Sequence, residues 1–219
     1  SSLLYNAILD GNVEVVKLLL ADGEDANERY EGDNDYGGFS CGLTALMVAS
    51  AYSRSNTKLI KILLDFGADL YGVGNGGVTA AWYAAGGGRY CRLPEIQDEE
   101  HPWLGDGDAD RLRVLLELGS DPNETADNGR SLIYEASTVG DPKRVGLLLE
   151  RGASPHPLKS KQTKGKHSKQ FSDMEKILSS IDKSMKEMGM PTLGEQYLCI
   201  PLYAAAESGN AACVRLLVD

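Results

Sequence analysis

The chain has 219 residues, 42% hydrophobic and 25% charged, enough apolar material for a folded core and too much for a disordered chain. A formal charge of -10 and a pI near 4.8 argue against a general affinity for nucleic acid or anionic membranes, which need a cationic face. No apolar run reaches the roughly 18 residues of a membrane span, and Cys41, Cys91, Cys199 and Cys213 stand far apart without a CxxC pair, which speaks against a zinc site or a disulfide framework. Reduced thiols in the cytoplasm or nucleus fit this pattern, and so does an opening, SSLLYNAILDG, without the zones of a signal peptide. The absence of an initial Met and an end at Asp219 inside an apolar helix pattern give the look of a piece of something longer.

In chain order, the first unit places Ala7 in an apolar segment and follows it with VEVVKLLLADGEDAN (13–27). Apolar residues there recur at helical spacing, and Gly23 supplies the left-handed residue that closes a helix with least strain. Residues 28–41 read as an insertion that lengthens a hairpin finger, with Tyr30, Tyr36 and Phe39 among glycines and acids. Aromatic side chains on a loop are candidate interface anchors.

The second unit consists of GLTALMVAS (42–50) and KLIKILLDFGADL (58–70), with Ala49 and Gly67 in the same roles. The glycine cluster YGVGNGG (71–77) lacks the GK[ST] ending of a phosphate loop and reads as a turn. The third unit, GVTAAWYAA (77–85) and RLRVLLELGSDPN (111–123), is split by an acidic insertion at about 86–109. Asp106, Asp108, Asp110 and Glu117 echo the ligand spacing of a calcium loop, but Arg111 stands where that loop needs Gly, so capping and solvation are expected and no metal.

The fourth unit is GRSLIYEAS (129–137) with KRVGLLLERGASP (143–155). A third insertion, about 157–197, begins with a tract of Lys159, Lys161, Lys164, Lys166 and Lys169. It continues in SDMEKILSSIDKSMKEMG (172–189), where Ser172 and Glu175 have capping-box spacing and Phe171, Met174, Leu178, Ile181, Met185 and Met188 make one apolar stripe, predicting an extra amphipathic helix. Residues 157–191 hold eight Lys against four acids, net +4, which leaves -14 on the rest, so docking of this helix on its own acidic chain is the expectation. IPLYAAAESGN (200–210) opens a fifth unit that stops at Asp219.

From alanine to closing glycine the shortest separation is 16 residues, and from glycine to the next alanine it is 17, a unit of 33. That period and these motifs resemble the ankyrin-repeat family: the openings are similar to TPLHxAA, and the second segments to its second helix and exit turn. The resemblance implies an all-α solenoid of stacked helix-turn-helix units joined by hairpin loops, one domain over 1–219, with repeats at about 1–34, 42–74, 77–126, 129–156 and 198–219. The consensus Pro survives as Pro201, while Tyr5, Met47, Trp82, Tyr134 and Tyr203 replace the turn-bracing His. These five are expected to pack as a stack between repeats.

The resemblance also implies a binding function on the concave face of hairpin tips and first helices. Its exposed positions are expected at Ser40, Leu43, Ala51, Tyr52, Asn75, Val78, Gly86, Asp127, Arg130, Thr138, Gln196 and Glu207, with Tyr52 and Arg130 as the main anchors. Together with Tyr36 and Phe39 these are the candidate partner-binding residues. The partner is expected to be a protein with basic segments, met by a monomeric scaffold, adaptor or targeting subunit. The alternative is a regulatory portion of a larger enzyme or channel, with the Lys-rich insertion and helix 172–189 as a switchable inhibitory element. No enzyme activity or cofactor is expected: neither a Gly-x-Ser-x-Gly nucleophile elbow nor HExxH is read in the chain, and His101, His156 and His167 all fall in or beside insertions.

Overall fold

Polar caps at one end, glycines at the other, or both bound the described helices of this chain. In the computed structural model, described over residues 3–30, 42–52, 56–87, 109–156 and 200–218, ten helices form five successive pairs. They are α1 (Leu3–Leu9) with α2 (Val13–Ala21), α3 (Ala45–Ala51) with α4 (Thr57–Asp65), and α5 (Ala80–Ala85) with α6 (Ala109–Glu117). The series continues with α7 (Leu132–Val139) and α8 (Pro142–Glu150), then α9 (Pro201–Glu207) and α10 (Ala211–Val218). First helices pack on first helices of the next unit and second helices on second helices, which makes a two-layer stack. No helix among the described residues is long and apolar enough to cross a membrane.

First helices begin at Thr44, Thr79 and Ser131, whose hydroxyls accept from the N–H of Met47, Trp82 and Tyr134 at 3.3, 3.1 and 3.3 Å. The residue that replaces the consensus His is therefore still held, through its backbone. Asn12, Asn56 and Asp141 cap α2, α4 and α8 in the same way, each cap contributing about 1 kcal/mol. Gly23, Gly67, Gly119 and Gly152 close the second helices at φ of 106°, 85°, 110° and 85°, a region that other residues enter only with strain.

After Gly23, Gly67 and Gly119 the chain turns out into a hairpin. Between units one and two, β1 (Arg29–Tyr30) pairs antiparallel with β2 (Leu43–Thr44), with Arg29 opposite Thr44. Between units three and four, Thr125 bridges Ser131. The core runs along the stack, and Ala7, Ala49, Ala84, Ala136 and Ala205 are all buried in it, small enough for neighbouring first helices to close on one another.

Among the polar bonds that join successive units, two kinds recur. The side chain of Asn27 donates to the Gly67 carbonyl at 2.9 Å and accepts from the Asp69 N–H at 2.7 Å, and Asn123 does the same with Gly152 and Ser154 at 3.1 and 2.8 Å. The second kind uses buried arginines. Arg111 donates to the Tyr52 carbonyl, and Arg144 reaches the Ala85 carbonyl at 3.4 Å while pairing with Asp141 at 3.0 Å. Each guanidinium thus meets the end of the preceding unit's first helix, where free carbonyls and the helix dipole favour a cation.

The expected stack of Tyr5, Met47, Trp82, Tyr134 and Tyr203 does not form as one row. Tyr5 stacks on Tyr30 at 4.0 Å, Trp82 meets Tyr83 edge-on at 5.3 Å, Tyr134 lies under Arg130, and Tyr203 is exposed. Packed helices stand about 8–10 Å apart, too far for equivalent rings on successive units to touch face to face. The predicted helix 172–189, the Lys tract and most of the acidic insertion lie outside the described residues.

Candidate functional site

The inner positions of units two and three are closed. Leu43 is buried in β2, Ala51 and Tyr52 end α3 in the core, and Val78 and Gly86 flank a wholly buried α5. Tyr52 and Leu43 are therefore not exposed anchors, a correction to the sequence expectation. Their physical role is packing: the Tyr52 carbonyl receives Arg111, and a Cβ on Gly86 would lie 2.3 Å from a methyl of Val139. Of the expected positions in these two units, Asn75 is exposed, at a hairpin tip against Gly42.

Units four and five are open at the same positions. Arg130 is half-buried, its guanidinium 5.3 Å from the Tyr134 ring centre and 3.7 Å from the carboxylate of Glu135, which is wholly buried. Thr138 is half-buried one turn beyond Tyr134 and donates its hydroxyl proton to the Tyr134 carbonyl at 3.0 Å. Asp127, also half-buried, donates its N–H to the Gly76 carbonyl at 2.8 Å and so locks this tip to the one before it. On α9, Tyr203 and Glu207 occupy the places of Tyr134 and Thr138, and both are exposed, Tyr203 to 65%.

The arrangement brings Asp127, Arg130 and Thr138 into one unit, with Glu207 on the unit packed against it. Tyr36, Phe39, Ser40 and Gln196 lie outside the described residues. Tyr134 and Tyr203 join the patch although the sequence reading packs them between repeats. A usable signal was the residue four positions on: Thr138 and Glu207 are polar, whereas Ala51 and Gly86 follow Met47 and Trp82.

Asp110 and Glu117 stand near opposite ends of α6, where Asp110 is 3.8 Å from Arg113 and Glu117 is 3.2 Å from Arg151. Seven residues of helix separate them by about 10 Å, so these two cannot converge on one ion. Asp106 and Asp108 lie outside the described residues. The letters Gly-x-Ser-x-Gly do occur at 38–42 (GFSCG), which corrects the expectation that no elbow motif is present. An elbow needs a turn straight from strand into helix, whereas Gly42 here leads into β2, ahead of α3.

Residues 3–93 match the family model described as ankyrin repeats (3 copies). No curated protein matches the chain. The structure carries the same unit beyond the matched span, since α7 with α8 and α9 with α10 pair and stack like the helices before them.

Proposed function

Since this chain is an ankyrin-repeat protein, a family whose repeats are generally protein–protein interaction modules, we propose that it binds a partner protein through the inner face of repeats four and five. The observation that carries this reading is the opening of that face where repeats two and three are closed. Arg130 lies over Tyr134 there, beside the exposed Tyr203. Aromatic and guanidinium side chains desolvate well and dominate binding hot spots. Glu207 and Asp127 border the patch and favour basic groups on the partner. In this reading the chain is a monomeric, non-catalytic scaffold, adaptor or targeting subunit of the cytoplasm or nucleus, without nucleic acid as a partner.

A photo-crosslinking residue at position 138 or 203, with the same residue at exposed Lys143 as control, tests the face in cell lysate. The same partner is expected from 138 and 203 and not from 143. Thr138→Arg/Tyr203→Ala is expected to weaken that partner's binding by about tenfold or more, the scale of a hot-spot loss. Arg130 is left intact in this test because it also faces the buried Glu135 carboxylate. Crosslinks equally strong from position 143, or full binding by the double variant, would remove the inner face from consideration. Tyr52→Ala is expected to change stability and not the contact.

A further inference from the structure

Most of the large apolar side chains left exposed sit in the first and fifth repeats, each of which stacks on one neighbour among the described residues. They are Leu3, Val15 and Leu18 in one, and Leu202, Tyr203, Leu216 and Val218 in the other. Four others have no such explanation. Phe66, Tyr71, Val73 and Leu118 are 41%, 62%, 46% and 48% exposed, although repeats two and three have neighbours on both sides. Phe66 caps α4, Leu118 holds the equivalent place after α6, and the two helices pack together. Tyr71 lies along the turn that follows Leu118, since a Cβ on Gly119 would come within 3.2 Å of its hydroxyl.

The fold does not require these residues. Asp22 and Arg151, charged and exposed, fill the capping place of Phe66 and Leu118 in repeats one and four. The position of Tyr71 is Asn27 in repeat one and Asn123 in repeat three, where the amide bridges to the next repeat by two hydrogen bonds. A phenol presents a single oxygen at the end of a rigid ring, not the two separate atoms with which a short amide donates to a carbonyl and accepts from an N–H two residues on. The junction of repeats two and three therefore gives up a clasp that the junctions on either side keep, and it gains an exposed aromatic ring at the same place. Local rules broken without benefit to the fold mark functional sites.

Charge identifies the occupant. Residues 65–73 and 117–121, which carry the patch, include the exposed acids Asp65, Asp69, Glu117 and Asp121 and no Lys, Arg or His. Among the described residues two cations reach this rim and both are engaged there: Arg151 is held by Glu117 at 3.2 Å, and Arg29 donates to the Val73 carbonyl at 3.0 Å, which leaves Asp65, Asp69 and Asp121 as carboxylates without an ion pair to either. We propose that Phe66, Tyr71 and Leu118 form a second docking surface, separate from the inner face, for a basic amphipathic helix of a partner protein. Its apolar side chains desolvate against the three rings and branches, and its Lys or Arg residues meet the four carboxylates.

Fluorescence anisotropy of the full chain with a fluorescein-labelled amphipathic helical peptide of Leu and Lys tests the surface. Phe66→Ser/Leu118→Ser is expected to weaken binding by about tenfold or more, and Asp65→Lys, which leaves the turn at Asp121 intact, by a factor that shrinks as salt rises. Leu18→Ser, an exposed apolar residue of repeat one, is expected to change nothing. All these side chains are exposed, so circular dichroism should show unchanged folds. Unchanged affinity in Phe66→Ser/Leu118→Ser together with a loss in the charge variant would overturn the surface, leaving net charge as the cause of binding. Two results would overturn the occupant: a self-dimer in sedimentation that Phe66→Ser/Leu118→Ser abolishes, or peptide affinity that rises when residues 157–191 are deleted.

Discussion

Gly86 and Gly67 show how one missing side chain acts in two ways. Both have positive φ, 121° and 85°, so any other residue is strained at either place. Around Gly67 a Cβ would meet nothing within 4 Å, whereas on Gly86 it would lie 2.3 Å from Val139 and 3.2 Å from the Arg144 guanidinium. Gly67→Ala is expected to cost about 1 kcal/mol in backbone strain alone. Gly86→Ala adds overpacking of about 1–3 kcal/mol and displaces Arg144 from the end of α5. Urea melts of the two variants check this; equal losses would mean that Val139 yields freely. The same comparison explains why the inner edge of repeat three offers no anchor: its closeness to α7 leaves no room for one.

At the scale of the element, what matters is the turn between second helix and hairpin. Asp25, Asp69 and Asp121 each accept the N–H two residues on, at 2.9, 2.9 and 2.8 Å, so the turn itself is the same in three repeats. What differs is the residue presented, Asn27, Tyr71 or Asn123. Since Asp69 already shapes the turn at Tyr71, Tyr71→Asn is expected to place an amide where it can bridge to Gly119 and Asp121. The gain should be about 1 kcal/mol, a net value typical of such hydrogen bonds, and Asn123→Ala should lose about as much or more. Thermal melts of the two variants decide it. A Tyr71→Asn protein that is less stable would show that the tyrosine serves the fold, and would weaken the case for the docking surface as well.

At the scale of the molecule, stability in a stack is a sum over units and their interfaces, and Cys213 reports on one interface. It stands on α10 where Arg111 and Arg144 stand on α6 and α8, and it is wholly buried. Burial first, and the nearby Asp141 carboxylate second, raise its thiol pKa above the usual 9.0. In the unfolded chain the thiol ionises at its ordinary value while in the fold it stays neutral. The associated stability is therefore complete below that value and is lost as pH rises through it toward the folded pKa. Stability is expected to fall between pH 7 and about pH 9.5, and to fall less in Cys213→Ala. Identical slopes for the two proteins in denaturant melts would show that repeat five does not hold the thiol as described.

Much of this was legible in the residues. The 33-residue period, the buried alanines and the closing glycines follow from spacing alone, because each repeat satisfies its caps and turns locally. The exits D-x-N at 25–27 and 121–123 were equally readable as turns, though not as clasps. Which inner positions are exposed was not readable. Tyr52 and Leu43 have the chemistry of anchors and the position of anchors, yet the carbonyl of one receives a buried arginine from 59 residues away and the other is paired in a strand.

By itself, then, the sequence determined the repeat, its register and its net negative charge, since these depend on short-range periodicity and on composition. The tertiary structure decided which faces are open: closed at repeats two and three, open at four and five, with an apolar edge at Phe66, Tyr71 and Leu118. The physical reason is that exposure belongs to no residue alone. It is set by whatever packs against that residue, and in a stacked fold the residues that do so come from the neighbouring repeat.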